Sequence, residues 1–147
     1  MTVPTLHLSP AHRAQIESHA EAAYPNECCG ILYGVEKTTA GRTERFVDEL
    51  EPVPNVAPPD QQHRRFAIAP AVLMAAERKC GPSRLVLGFY HSHPDHPAVP
   101  SEHDRTHAWP FYSYVIVAVN DRKAVEPTSW MLDEQTGQFV WQDATAR

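Results

Sequence analysis

The sequence predicts an α/β domain in which a mixed, largely antiparallel sheet is flanked by about three helices. Three observations carry this. Strand-length runs rich in apolar, β-branched and aromatic residues recur at 29–35, 84–93 and 112–119. Helix-start signals stand between and before them, at Ser9-Pro10, Pro70 and Ser101. Segments that pair naturally across Gly41 and Gly137 read as hairpins.

Taken in order, Ser9-Pro10 opens a helix that presents Ile16, Ala20 and Ala23 on one face, and Pro25-Asn26 ends it. Cys29 to Val35 reads as a buried strand, Glu36 to Arg42 as a turn, and Thr43 to Leu50 as the partner strand. Four prolines among polar residues make 51–62 an irregular loop, after which Arg65 to Ile68 reads as a short strand. Pro70 starts a second helix running to about Lys79, where Gly81-Pro82 stops it. Arg84 to His93 is a strand, and a third helix begins at Ser101 and closes at Trp109-Pro110. Tyr112 to Val119 is a central strand, and Thr128 to Asp133 with Gln138 to Gln142 form a terminal hairpin.

A chain of 147 residues is read as a single domain, 1–147, able to bury a core without covalent staples. A net charge of -5, with no basic cluster longer than two residues, argues against a nucleic-acid partner. The strongly apolar runs are too short to span a bilayer, and residues 1–8 lack the charged and apolar regions of a signal peptide. The expected location is therefore cytoplasmic, without membrane contact. Cys28, Cys29 and Cys80 suit small buried hydrophobes of a reducing compartment better than a disulfide framework.

The chemistry concentrates in His91-Ser92-His93, Ser101 and Asp104, an H-x-H-x7-S-x2-D pattern. Side chains two apart on a strand share a face, so His91 and His93 can reach one metal ion while Ser92 points away. Two imidazoles and a carboxylate are donors that a catalytic zinc takes when one position stays open. Pro94, Pro97 and Pro100 stiffen the connection to Asp104. Ser101 and Asp104 also fit a capping box, and a helix N-terminus favours the ionised carboxylate, so cap and ligand are compatible roles. His107, three residues beyond Asp104, and His96 and His103 read as solvated or supporting groups because the ligand set is already complete. His96 and His103 are expected to point elsewhere. His7, His12, His19 and His63 give no signal beyond polarity.

Pro25-Asn26-Glu27-Cys28-Cys29-Gly30, together with His91-Ser92-His93-Pro94, Ser101 and Asp104, resembles the JAMM/MPN+ (Mov34/JAB-like) zinc metallopeptidase family, in its short single-domain bacterial form. Asp95-His96-Pro97-Ala98, Trp109-Pro110, Tyr112-Ser113-Tyr114 and Ser129-Trp130 extend the likeness over most of 24–130. The resemblance implies a three-layer, cytidine-deaminase-like MPN domain with Zn2+ held by His91, His93 and Asp104. It makes Glu27 the general acid/base that assists attack by zinc-bound water, and Ser101 a hydrogen-bond donor to the tetrahedral intermediate. Cys29 takes the family's cysteine position, with Cys28 as a local variation. The implied activity is a peptidase or isopeptidase cutting an amide at the C-terminal Gly-Gly tail of a ubiquitin-like protein. The absence of long insertions points to a β-grasp sulfur carrier as substrate. The alternative of another class is a non-catalytic MPN-type protein-binding module with a structural or vestigial metal. Deamination of a nucleobase is disfavoured because the H-x-E…P-C-x-x-C pattern is missing.

Overall fold

Period-two alternation sorts the strand side chains onto two faces, and each face is covered by helix. The computed structural model describes residues 1–145, with β1 (Thr5–His7), α1 (Pro10–Ala23), β2 (Cys29–Thr39), β3 (Arg42–Val53), α2 (Pro70–Cys80), β4 (Leu85–Pro94), α3 (Glu102–His107), β5 (Ser113–Asn120), β6 (Lys123–Ala124), β7 (Thr128–Leu132), β8 (Phe139–Gln142) and β9 (Ala144–Thr145). The strands form one sheet in the order β8-β7-β5-β4-β2-β3-β1-β9, with β6 pairing β5. Pairing is parallel for β4 with β5 and for β1 with β3 and β9, and antiparallel elsewhere. The expected mixed, largely antiparallel sheet with three helices is the observed one. No described helix is long and apolar enough to cross a membrane.

Ser9 caps α1 by accepting the His12 N–H at 3.1 Å, and Pro10 supplies a pre-set first turn. The helix buries Ile16 and Ala20 against Leu32, Leu87, Val115, Val117 and Val119 on one sheet face. On the opposite face Ala76 and Cys80 of α2 pack with Ile31, Tyr33, Phe89 and Tyr114. The result is the expected three-layer sandwich. Burying one such aliphatic side chain contributes about 1.5–3 kcal/mol.

One irregularity sets which face receives the histidines. The register between β2 and β4 shifts between Leu32 and Tyr33, so Leu87 and Gly88 occupy the span that one residue would fill. Val86 and Phe89 therefore share the α2 face. His91 and His93 then follow Phe89 onto that face, while Tyr90 and Ser92 turn toward the other. Gly30 sits opposite Tyr90, and a Cβ there would lie 2.0 Å from the Tyr90 ring. Glycine is required because the ring lies across its Cα to reach His19 Nδ1 at 2.8 Å.

Several boundaries differ from expectation. The first hairpin is longer than the sequence suggested, because Ala40 (φ 51°) and Gly41 (φ 78°) make the whole turn and the ladder runs from Thr39↔Arg42 to Cys29↔Val53. Arg65–Ile68 is not a strand. Among the described residues it has isolated bonds, such as Val56 N–H to Ala67 O at 2.9 Å, which do not form a ladder. The short strands β1, β6 and β9 were not anticipated; each has two or three residues and no resolvable alternation. His7 and His19 are not simple surface residues, since His7 stacks on Phe46 and bonds Glu44 at 2.7 Å, and His19 holds Tyr90.

Candidate metal centre

The end of β4 and the first turn of α3 bring three donor atoms together. His91 Nε2 and His93 Nε2 lie 3.1 Å apart, and Asp104 Oδ2 is 3.3 Å from the first and 3.1 Å from the second. With metal–donor bonds of about 2.0–2.1 Å, a tetrahedral zinc spaces its donors by about 3.3–3.4 Å. The observed triangle is within a few tenths of an ångström of that.

The protonation states suit a cation. His93 Nδ1 donates to the Pro97 carbonyl at 2.7 Å, which leaves a lone pair on its Nε2. Burial holds His91 below the usual histidine range, which favours its neutral form. Burial opposes the charge on Asp104, but protons on the facing imidazole nitrogens and the Ser101 N–H outweigh it and hold the carboxylate below its usual range, and a cation takes the place of those ring protons when both rings are neutral. An ionised oxygen and a nitrogen lone pair at 3.1 Å repel unless a positive charge lies between them. The three residues therefore fit a metal ion.

The capping box supplies the orientation. Asp104 N–H donates to Ser101 Oγ at 3.0 Å, and Ser101 N–H donates to Asp104 Oδ2 at 2.9 Å. The oxygen that faces the imidazoles is thus the one the backbone already fixes. Cap and candidate ligand coincide in one carboxylate, and among the described residues the Ser101 hydroxyl proton has no acceptor.

Glu27 lies beside this triangle. It is two residues before Cys29, which pairs with His91, so the same alternation brings its side chain to the ligand face near His93. Glu27, His93 and His96 each offer a donor atom within 4.8 Å of the others. The Glu27 side chain is buried and, among the described residues, its Oε1 has no hydrogen-bond partner. Burial, with a smaller contribution from the Asp104 charge, pushes its carboxyl up to about 9. Its backbone is tied to the 54–68 loop, with Gln62 O accepting its N–H at 2.7 Å and Asn55 Nδ2 donating to its carbonyl at 3.1 Å.

Each ligand ring is backed by another ring. Phe66 stacks on His91 with centroids 4.4 Å apart, and His96 stacks on His93 at 4.1 Å. The expectation that His96 points elsewhere is therefore corrected: its Nδ1 bonds Pro94 O at 2.9 Å, which turns the ring against the ligand. Asn55, which supports the candidate site, was missed by the sequence reading. Its Nδ2 bridges the Glu27 and Arg65 carbonyls while its Oδ1 accepts from Ala57 and Ala67, so it hangs Phe66 and Glu27 from one side chain. The signal was an asparagine flanked by Pro54 in a loop, the setting of an Asx-turn. Cys28 and Cys29 are buried and burial raises both thiols, to about 11 and about 12, so neither is a thiolate donor at neutral pH.

An apolar pocket of about 240 Å³ adjoins His91 and Asp104, walled by Phe66, Ile68, Leu73, Phe89, Tyr114, Ile116 and Phe139. His103, His107 and Trp109 stand around it, so His103 does not point away from the site but into its margin.

A mixed sheet between helical layers, with a His-His-Asp centre at the junction of β4 and α3, defines a JAB-type domain. Residues 9–133 match the family of prokaryotic homologs of the JAB domain, and the chain belongs to that family. A desampylase of Haloferax volcanii is 32% identical over 139 residues, covering 91% of this chain and 94% of that one. A solution structure of a Desulfitobacterium hafniense protein superposes with a TM-score of 0.78 at 28% identity, covering 97% of this chain and 93% of the other. The JAB1/MPN domain protein of Archaeoglobus fulgidus shares the fold, with a TM-score of 0.56 at 20% identity over 96% of this chain and 98% of that one.

Proposed function

We propose that this chain is a zinc-dependent peptidase or isopeptidase that hydrolyses an amide bond at the C-terminal Gly-Gly tail of a ubiquitin-like protein, with a β-grasp sulfur carrier as the substrate. The observation that carries the reading is the convergence of His91, His93 and Asp104 beside a buried, unpartnered Glu27. The name of the Haloferax volcanii relative, desampylase, supports an isopeptidase acting on ubiquitin-like modifiers.

His91, His93 and Asp104 would hold the zinc, which when bound polarises a carbonyl and brings the pKa of a coordinated water toward about 7. Glu27 is the proton carrier. Alone in its dry niche Glu27 keeps its proton; with a cation held by His91, His93 and Asp104 its carboxylate form would be favoured and that affinity lowered. In that state Glu27 accepts a proton from the attacking water and returns it to the leaving amine. Ser101, whose hydroxyl proton is uncommitted, donates to the substrate oxygen as negative charge develops there. Phe66 and His96 hold the two ligand rings still and keep bulk water off them. The apolar pocket next to Asp104 accepts a side chain of an extended tail.

The test is incubation of the zinc-loaded protein with a β-grasp carrier bearing a C-terminal extension, read by intact mass. Loss of the extension that chelator prevents, and that Glu27→Gln abolishes while keeping its zinc, is the expected result. Cleavage by Glu27→Gln at the wild-type rate would refute the role given to Glu27. Bound zinc with no turnover on any extended carrier would favour a binding module.

A further inference from the structure

We propose that His103 and His107 form a second, weaker site for a divalent transition metal at the margin of the apolar pocket, and that an ion held there obstructs the main site. The two residues are one helical turn apart on α3, on the same face, and their rings lie 4.1 Å apart, centroid to centroid, with a tilt of 31°. Two histidines at that spacing on a helix are the paired donors of helical zinc motifs.

Their hydrogen bonding leaves donor atoms free. His107 Nδ1 donates to the His103 carbonyl at 2.9 Å, which fixes the ring and leaves a lone pair on Nε2. Among the described residues the His103 ring has no hydrogen-bond partner, so either nitrogen can turn toward an ion. His107 is exposed and His103 half-buried, so a hydrated cation can approach without opening the fold.

The site is weak by construction. Two protein donors leave the rest of the coordination sphere to water, whereas the main centre supplies three. Arg64 and Arg65 lie close enough to act on His103 and oppose a cation, while Asp104 favours one. The pair thus fills only after the main centre is occupied. Both residues line the same pocket as His91 and Asp104, so an ion on them stands where a substrate tail would enter. Excess metal becomes an inhibitor.

Calorimetric titration of metal-free protein with zinc, and separately with nickel, tests the site without any appeal to the reaction proposed above. Wild type is expected to take up two equivalents, one tight and one weak. His103→Gln and His107→Gln should each keep the tight equivalent, which also reports an intact fold, and lose the weak one. Absence of a weak equivalent in wild type, or its persistence in both variants, would overturn the proposal. The obstruction is read separately, as the ratio of cleavage rate at excess zinc to the rate at one equivalent, each protein against itself. That ratio should fall in wild type and stay near one in both variants; an equal fall in all three would rule the obstruction out.

Discussion

Replacing Glu27 by glutamine should stabilise the metal-free protein, although it should abolish turnover. The carboxyl is buried with no partner on Oε1 and titrates at about 9 in place of an ordinary 4.5. Between those values the folded state carries a proton that the unfolded chain has lost. Stability therefore falls as pH rises through that window, by about 1.4 kcal/mol per pH unit, and levels off above it. At pH 7 the accumulated cost is about 3 kcal/mol, an order-of-magnitude figure from the same relation. Glutamine has the same shape and does not titrate, so it escapes that cost. Urea denaturation of chelator-treated wild type and Glu27→Gln from pH 5 to pH 8.5 measures the difference. The two proteins should differ by less than about 1 kcal/mol at pH 5, and by pH 7 the variant's midpoint should be higher by about 1–3 M, given a slope of about 1–3 kcal/mol/M. Equal midpoints at pH 7 and equal pH slopes would show that Glu27 is not held as a neutral, desolvated acid.

Other substitutions probe the supports of the centre. Asp104→Asn removes the charged donor and should leave the desalted protein with well under one equivalent of zinc by elemental analysis, with its circular dichroism unchanged. Asn55→Ala unpairs the bonds that hang Phe66 and Glu27 from one loop, and should lower stability by about 1–3 kcal/mol in urea titration. It should also weaken zinc retention, because Phe66 no longer backs His91. Gly30→Ala puts a Cβ 2.0 Å from the Tyr90 ring, so Tyr90 must leave His19. Overpacking of this kind costs about 1–3 kcal/mol, readable as a lowered melting temperature.

The cluster of His91, His93 and Asp104 was legible because its logic is local. His91 and His93 need only the alternation of one strand, and Asp104 needs only the capping geometry of one helix start. Helix limits were legible wherever proline or a capping serine marked them, as at Ser9-Pro10 and Pro70. Long-range pairing was not. The strands β1 and β9 are two or three residues long, and β1 forms only by lying between β3 and β9, partners distant in the sequence. The shift opposite Leu87 and Gly88, which decides the face His91 takes, leaves no mark in the sequence beyond a glycine. Arg65–Ile68 has strand composition but no neighbouring edge to pair with, so Asn55 holds it instead. The stacking of His96 on His93 depends on a carbonyl two residues away in a folded turn, which spacing alone does not reveal.

X-ray absorption at the zinc edge, on protein loaded with one equivalent, addresses the ion's surroundings most directly. Two imidazole nitrogens and a carboxylate oxygen predict a first shell of nitrogen and oxygen at about 2.0–2.1 Å with imidazole outer-shell scattering. A sulfur scatterer at about 2.3 Å, or an oxygen-only shell lacking the imidazole signature, would contradict the convergence of His91, His93 and Asp104 on one cation.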